Sequence, residues 1–227
     1  VACAKCGLVT LAKLPPEVPT GDYDASVHAM VGMIRGDLRQ SVRQTSDVMT
    51  KLFHVPMSTG MVCKSTNQVS EALAQPFEEA RQYAKDYDRP HADETGWRQD
   101  KKRAWLWLAV CGKVAVFLVR ASRGAKVARE LLGETFRGIL TSDRWASYNW
   151  IAAELRQLCW SHLKRDFTSF LDHGREAKRL GEKLLGETRK MFRLWNRIRD
   201  GTMARAAFQE GMKPVRRRLE KLLEEGA

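Results

Sequence analysis

Two aspartates fifty residues apart, Asp93 and Asp143, are the side chains of this 227-residue sequence best suited to act together. Asp93 lies in an extended stretch, His91-Ala92-Asp93-Glu94-Thr95, and Asp143 follows the strand-like run Gly138-Ile139-Leu140-Thr141-Ser142. Paired carboxylates repel one another unless a cation sits between them, so two aspartates converging at one end of a sheet imply a divalent metal. Oxygen ligands favour magnesium or manganese over zinc. Centres that transfer phosphoryl groups use two such ions, roughly 3.5–4 Å apart, to hold the attacking and leaving oxygens. Asp93 and Asp143 are therefore the candidate catalytic and metal-ligating pair. The plainer reading is that each merely ends a strand or caps a turn. Glu94 rivals Asp93, but neighbouring strand residues face opposite sides of a sheet, so only one of them can join Asp143.

A second constellation opens the chain. Cys3-x-x-Cys6-Gly7 has the spacing of a zinc-knuckle turn, but zinc wants four ligands and no second Cys-x-x-Cys follows. Cys159 and His162 could complete a set of three cysteines and a histidine, yet they belong to a different expected domain. Residues 1–13 thus read as half a zinc site, whose other half lies upstream of this chain and without which zinc binds weakly or not at all. The remaining cysteines, 63, 111 and 159, are too scattered for a disulfide framework.

The elements that must position these groups follow from periodicity. A Pro-rich linker, Leu14 to Pro19, leads into helices: Asp22 or Asp24 caps a segment with Val27, Met30, Val31 and Ile34 on one face. A second helix covers about Val42 to Phe53, with Val42, Val48, Met49, Leu52 and Phe53 as its apolar positions. Ser58 caps a third running toward Lys85, broken or kinked by Pro76. Residues 14–86 are thus helical, and fit a helix-turn-helix DNA reader as well as a plain helical hairpin. From Tyr87 the pattern turns to strands. Asp88 to Arg98 is extended, Gln99 to Lys102 is a polar turn, and Ala104 to Val110 is apolar on both faces and so buried in a sheet. Val114 to Val119 makes a third strand, Ala125 to Leu132 a helix stopped by Gly133, and Gly138 to Ser142 a fourth strand. Gln157 to Trp160 is a short fifth strand. Beyond His162 the chain reads as helical, with breaks near Gly174, Gly201 and Pro214.

Two reversals followed by a right-handed helical crossover return strand four beside strand one and parallel to it. That is the opening of a ribonuclease H-like α/β fold, and it delivers Asp93 and Asp143 to the same end of the sheet, the end where ligands bind in such sheets. Residues 87–170 form this core, with a basic helical segment at 171–227. The formal charge of +12 favours a polyanionic partner, because phosphate neutralisation releases counterions. From Lys164 onward there are 17 basic and 10 acidic side chains, so the helical end carries more than half of the imbalance. No apolar run approaches the roughly 20 residues needed to span a bilayer, and the start has no secretory pattern, which places the chain in the cytoplasm, associated with the nucleoid.

Three ordered blocks also carry a family resemblance. His91-Ala92-Asp93-Glu94-Thr95-Gly96-Trp97-Arg98, followed by Trp105-Leu106-Trp107, resembles the first catalytic block of DDE-type insertion-sequence transposases of the family numbered sixty-six, in their large, TnpC-like protein. Thr141-Ser142-Asp143-Arg144-Trp145-Ala146-Ser147-Tyr148 is similar to the second block. Gln157 to Phe167, containing Cys159-Trp160-Ser161-His162, is similar to a third. The resemblance implies a site in which Asp93, Asp143 and a glutamate hold two magnesium or manganese ions, hydrolyse transposon ends and join the freed 3′-hydroxyl to target DNA. The family's glutamate lies in an Asn-Asn-x-x-Glu-Arg type segment after a helical insertion, and this sequence contains no such segment. The chain is therefore expected to be a fragment truncated at both ends, lacking the third carboxylate. The implied partners are DNA ends and target DNA, a second copy of the chain as a homodimer, and companion proteins of the element, with no membrane. Arg144, Lys164 and Arg165 suit phosphate contacts, since such contacts need positive charge that reaches solvent. His162 either contacts DNA phosphate or metal-bound water, or is a core histidine that positions the following helix. Trp97, Trp105, Trp107 and Trp160 read as core rather than base-stacking residues. The competing readings are a non-catalytic DNA-binding remnant or regulator, and a ribonuclease H-like nuclease acting on another nucleic acid.

Overall fold

The computed structural model describes residues 2–9, 15, 21 and 23–226, and divides the chain into two compact units, Val1–Glu79 and Ala80–Ala227. Most of the expected Pro-rich linker, and Asp22, lie outside the described residues. Among the described residues no helix is long and apolar enough to cross a membrane.

In the first unit, α1 (Ala25–Gly36) starts where the Asp24 carboxylate accepts the Val27 N–H at 3.0 Å, satisfying a donor that the helix leaves unpaired. Its buried face is Val31 and Ile34. The second helix, α2 (Val42–Lys51), opens with a reciprocal cap between Ser41 and Gln44 and buries Thr45 and Met49. Leu52 and Phe53, expected on its apolar face, are instead exposed, because the helix has ended before them. Ser58 caps α3 (Thr59–Ala72) as expected. The connection from α2 to α3 runs from Leu52 to Ser58, longer than the 3–4 residues typical of a helix-turn-helix reader. The helix expected to reach Lys85 is two helices, α3 and α4 (Ala74–Lys85), parted at Leu73. Pro76 lies in the first turn of α4. A proline ring clashes with the carbonyl four residues back, here that of Ala72, so the break falls before the proline rather than at it.

The second unit is built on a five-stranded mixed sheet in the order β3-β2-β1-β4-β5: β1 (His91–Gln99), β2 (Lys102–Val110), β3 (Ala115–Arg120), β4 (Leu140–Ser142) and β5 (Arg156–Leu158). The first three strands form two antiparallel hairpins; β4 joins β1 in parallel, and β5 joins β4 in parallel. Asp100 and Lys101 both adopt positive φ, 49° and 64°, which gives the β1–β2 turn a twist matched to its strands. The crossover helix α5 (Ala125–Leu132) lays Val127, Ala128, Leu131 and Leu132 against one sheet face, where Trp107, Ala109, Val116, Leu118, Leu140 and Tyr148 complete the core. The other face is only partly covered: Leu106 and Leu108 are half-buried and Phe117 is 52% exposed. The expectation that β2 is buried on both faces is thus met on one, because α5 can cover only the side it crosses. Arg120, at the end of β3, clips α5 through an ion pair with Glu130, whose carboxyl this guanidinium holds below its ordinary range. A depressed carboxylate stabilises the fold above its unfolded pKa and ceases to do so as pH falls through its folded value. Urea melts should therefore show Glu130→Gln costing under about 1 kcal/mol at neutral pH, given the pair's exposure. The difference should vanish in acid, once Glu130 is protonated in both the folded and the unfolded wild-type chain.

Gly138 makes the β4 approach fit. A Cβ there would stand 2.4 Å from the Asp88 carbonyl oxygen, the group that accepts the Ile139 N–H at 2.7 Å. Gly138→Ala should push β4 away from the start of β1 and cost about 1–3 kcal/mol, as overpacking does. An unchanged denaturation midpoint would show that the segment can shift freely.

The sheet is followed by α6 (Trp160–Ser169), α7 (Arg175–Arg199) and α8 (Arg205–Glu225), which share a core of Phe167, Leu184, Met191, Val215, Leu219 and Leu222. Gly174 and Gly201 mark the breaks expected of them. Pro214 does not: it lies inside α8, where burial of Val215, Leu219 and Leu222 against α7 outweighs one missing hydrogen bond. Trp97 is 46% exposed and so is not a core residue, whereas Trp107 is fully buried and Trp105 and Trp160 are partly so.

Candidate metal centre

Register brings the two aspartates together. His91 of β1 pairs with Thr141 of the parallel β4, so two residues further along each strand Asp93 and Asp143 lie level, just past the carboxyl end of β4. On β1 the burial alternates, with Ala92 and Glu94 buried and His91 and Asp93 exposed. Asp93 therefore faces away from the α5 side and Glu94 faces into it, which settles their rivalry as the pleat requires.

The third member comes from α6. The Cys159 N–H bonds the Ser142 carbonyl at 2.7 Å, extending the β4–β5 ladder by one residue, and the helix begins immediately afterwards. His162, in the first turn of α6 rather than before the helix, thereby reaches the sheet end. One ligand atom from each of Asp93, Asp143 and His162 lies within 4.8 Å of the others. The Cys159 thiol, and more weakly Asp93, draws the His162 imidazole above its ordinary pKa against the opposing effect of burial. Burial alone would raise the Cys159 thiol. The His162 ring and the backbone N–H groups of His162 and Ser161 outweigh it and hold the thiol below its usual range.

Beneath the pair lies a network that no spacing pattern announced. The Glu94 carboxylate, completely enclosed, accepts Nε of Arg123 at 2.9 Å and the Tyr148 hydroxyl at 2.6 Å. Burial pushes the Glu94 carboxyl up despite these two donors, and burial together with Glu94 pushes the Tyr148 phenol far up. Arg123 lies between two indoles, 4.7 Å from the Trp105 ring centre and 3.8 Å from that of Trp145. Trp145 then holds Asp143 directly, its backbone N–H donating to Oδ1 at 2.9 Å, while Arg156 bonds the Asp143 carbonyl at 3.2 Å. Trp145 and Tyr148 were visible within the second sequence block without a role. Arg123, in the loop before α5, gave no sequence signal.

The other expected site residues are dispersed. Arg144 is exposed and engaged with Asp166 at 2.6 Å; Lys164 and Arg165 are exposed on α6. Lys164 shares a groove with Arg189, Arg193 and Asn196 of α7. In the first unit Cys3 and Cys6 are exposed on a tight turn closed by Gly7, whose φ is 69°. The Cys3 thiol is lowered by the backbone N–H groups of Lys5 and Cys6.

The transposase IS66 family matches residues 23–227. The chain belongs to the IS66 family of transposases. No curated protein matches it. All three sequence blocks of this IS66-family chain fall within the matched span, and each supplies one member of the Asp93–Asp143–His162 cluster.

Proposed function

We propose that this IS66-family chain carries the centre of a DNA transposase, on a ribonuclease H-like core, that cleaves phosphodiester bonds at the ends of an insertion sequence and joins the freed 3′-hydroxyl to target DNA. The observation that carries this reading is the meeting of Asp93, on β1, with Asp143, just past the carboxyl end of its parallel neighbour β4. The strand order, with an antiparallel hairpin pair on one side of β1 and a parallel crossover on the other, supports the ribonuclease H-like assignment. Hard oxygen donors suit magnesium or manganese, which when bound would supply the charge that activates a nucleophile and stabilises a leaving oxygen. Asp93 offers its carboxylate from a paired strand and Asp143 from a loop pinned through Trp145, so neither must be ordered when DNA arrives. The three donors that converge suffice for one ion, and a second needs a ligand beyond them. The test is manganese-dependent nicking of element-end DNA by the wild-type chain, with Asp93→Ala and Asp143→Ala as controls.

DNA is placed by cations outside the centre. Arg144, Lys164 and Arg165 are the proposed phosphate contacts, and the Lys164 groove adds Arg189 and Arg193, one helical turn apart on α7. Arg189→Ala combined with Arg193→Ala should flatten the plot of log affinity against log salt by roughly 2, one unit for each phosphate that is no longer neutralised. Fluorescence anisotropy across a salt series measures this, and an unchanged slope removes the groove from the DNA path.

A second reading is a non-catalytic DNA-binding remnant. It is favoured by the environment of Glu94, the carboxylate next in sequence to the pair, which is committed to Arg123 and Tyr148 and so supplies no third acidic ligand. DNA binding without metal-dependent cleavage is its expected result.

A further inference from the structure

Resting on the reading above, the geometry points to His162 as an inner-sphere ligand: we propose that Asp93, Asp143 and His162 bind a single divalent ion, with preference for a first-row transition ion over magnesium. Three features carry this. The ring is brought to the aspartates by the sheet and α6 together, since α6 starts directly after Cys159, the residue that closes the β4–β5 ladder. Phe167, buried among α7 and α8 side chains, anchors the rest of the helix. The His162 Nδ1 is also enclosed without a hydrogen-bond partner, an arrangement that buried polar atoms rarely show. Finally, its ligand atom falls within 4.8 Å of both carboxylates, a spread that one ion can bridge.

The selectivity follows from donor chemistry. Magnesium holds its waters tightly and takes oxygen ligands in near-ideal octahedra, whereas imidazole nitrogen suits manganese, cobalt and their neighbours progressively better. Two carboxylates alone would discriminate little between magnesium and manganese. Adding an imidazole on a fixed helix tilts the centre toward the transition ion. It also ties the start of α6, the helix that presents Lys164 and Arg165, to the sheet end.

The test uses the intact chain and manganese(II) as probe. Calorimetry should give one ion per chain, and pulsed electron paramagnetic resonance should show coupling of the bound ion to a nitrogen-14 nucleus. His162→Ala should abolish that coupling and weaken manganese binding by on the order of 10–100-fold, at least the loss seen when a group supporting a ligand is removed. It should leave magnesium affinity nearly unchanged. The coupling in the wild-type chain needs no variant, so it decides the matter even if His162→Ala folds poorly. Manganese bound without nitrogen coupling overturns the role of His162 while leaving the aspartate pair standing. No divalent ion bound by the wild-type chain, or binding that survives both Asp93→Ala and Asp143→Ala, overturns the inference and the proposed function together.

Discussion

Asp143→Asn is expected to lower manganese-dependent nicking of element-end DNA by at least about 10³-fold, as large as the loss when one stabiliser of transition-state charge is removed from an active site. The substitution is chosen because asparagine keeps an oxygen where Oδ1 now accepts the Trp145 N–H. The loop that follows β4 therefore stays anchored, and only the negative charge is lost. Thermal unfolding should be nearly unchanged while cleavage and metal binding disappear. Asp143→Ala adds the loss of the loop bond and should show the same chemical defect with a small drop in stability. Asp93→Ala should match it in activity, since neither aspartate alone holds an ion firmly enough to act. Undiminished cleavage in Asp143→Asn would refute the role assigned to this carboxylate, because the protein would be doing chemistry without the charge said to place the metal.

Glu94→Ala should produce the largest loss of stability among single substitutions at the site, about 3–5 kcal/mol, the range for breaking a buried ion pair from one side. The deletion strands two groups. Arg123 keeps its charge but loses the carboxylate that it approaches to 2.9 Å, and the Tyr148 hydroxyl loses its acceptor inside the core. Arg123 also stacks between Trp105 and Trp145, and Trp145 holds Asp143, so the damage reaches the metal centre by direct packing. Adding Arg123→Ala to Glu94→Ala should recover part of the loss, because the second change removes the unpaired charge that the first creates. Chemical denaturation of the two single variants and the double variant measures the coupling. Strictly additive losses would show that the two side chains do not act as a unit.

Much of this architecture is legible in the sequence. The extended stretch Asp88 to Arg98, the apolar run Ala104 to Val110 and the crossover helix stopped by Gly133 are local patterns. Together with the handedness of crossovers they leave few ways to join the strands, and the parallel return of β4 to β1 is the one observed. The choice of Asp93 over Glu94 also rests on a local rule, the two-residue pleat. Local reasoning fails where a distant partner outweighs a local preference. Pro214 stays inside α8 because α7 packs against the residues after it, and Phe117 is exposed because it lies on the sheet face that α5 does not cross. The third member of the cluster is hidden for a similar reason. In the sequence His162 reads as a contact to phosphate or metal-bound water, or as a core residue, and its distance from Asp93 depends on how β5 hands over to α6.

By itself, then, the sequence determined which residues could ligate a cation, which strands carry them, and the family to which its three blocks belong. These are consequences of side-chain chemistry and short-range periodicity, and need no knowledge of what lies across the sheet. Only the tertiary structure decided that His162 joins the aspartates, and that Glu94 is withdrawn to brace Arg123 and Tyr148. Those outcomes turn on a few ångströms between segments far apart in the chain, a scale set by packing against partners that no local pattern names.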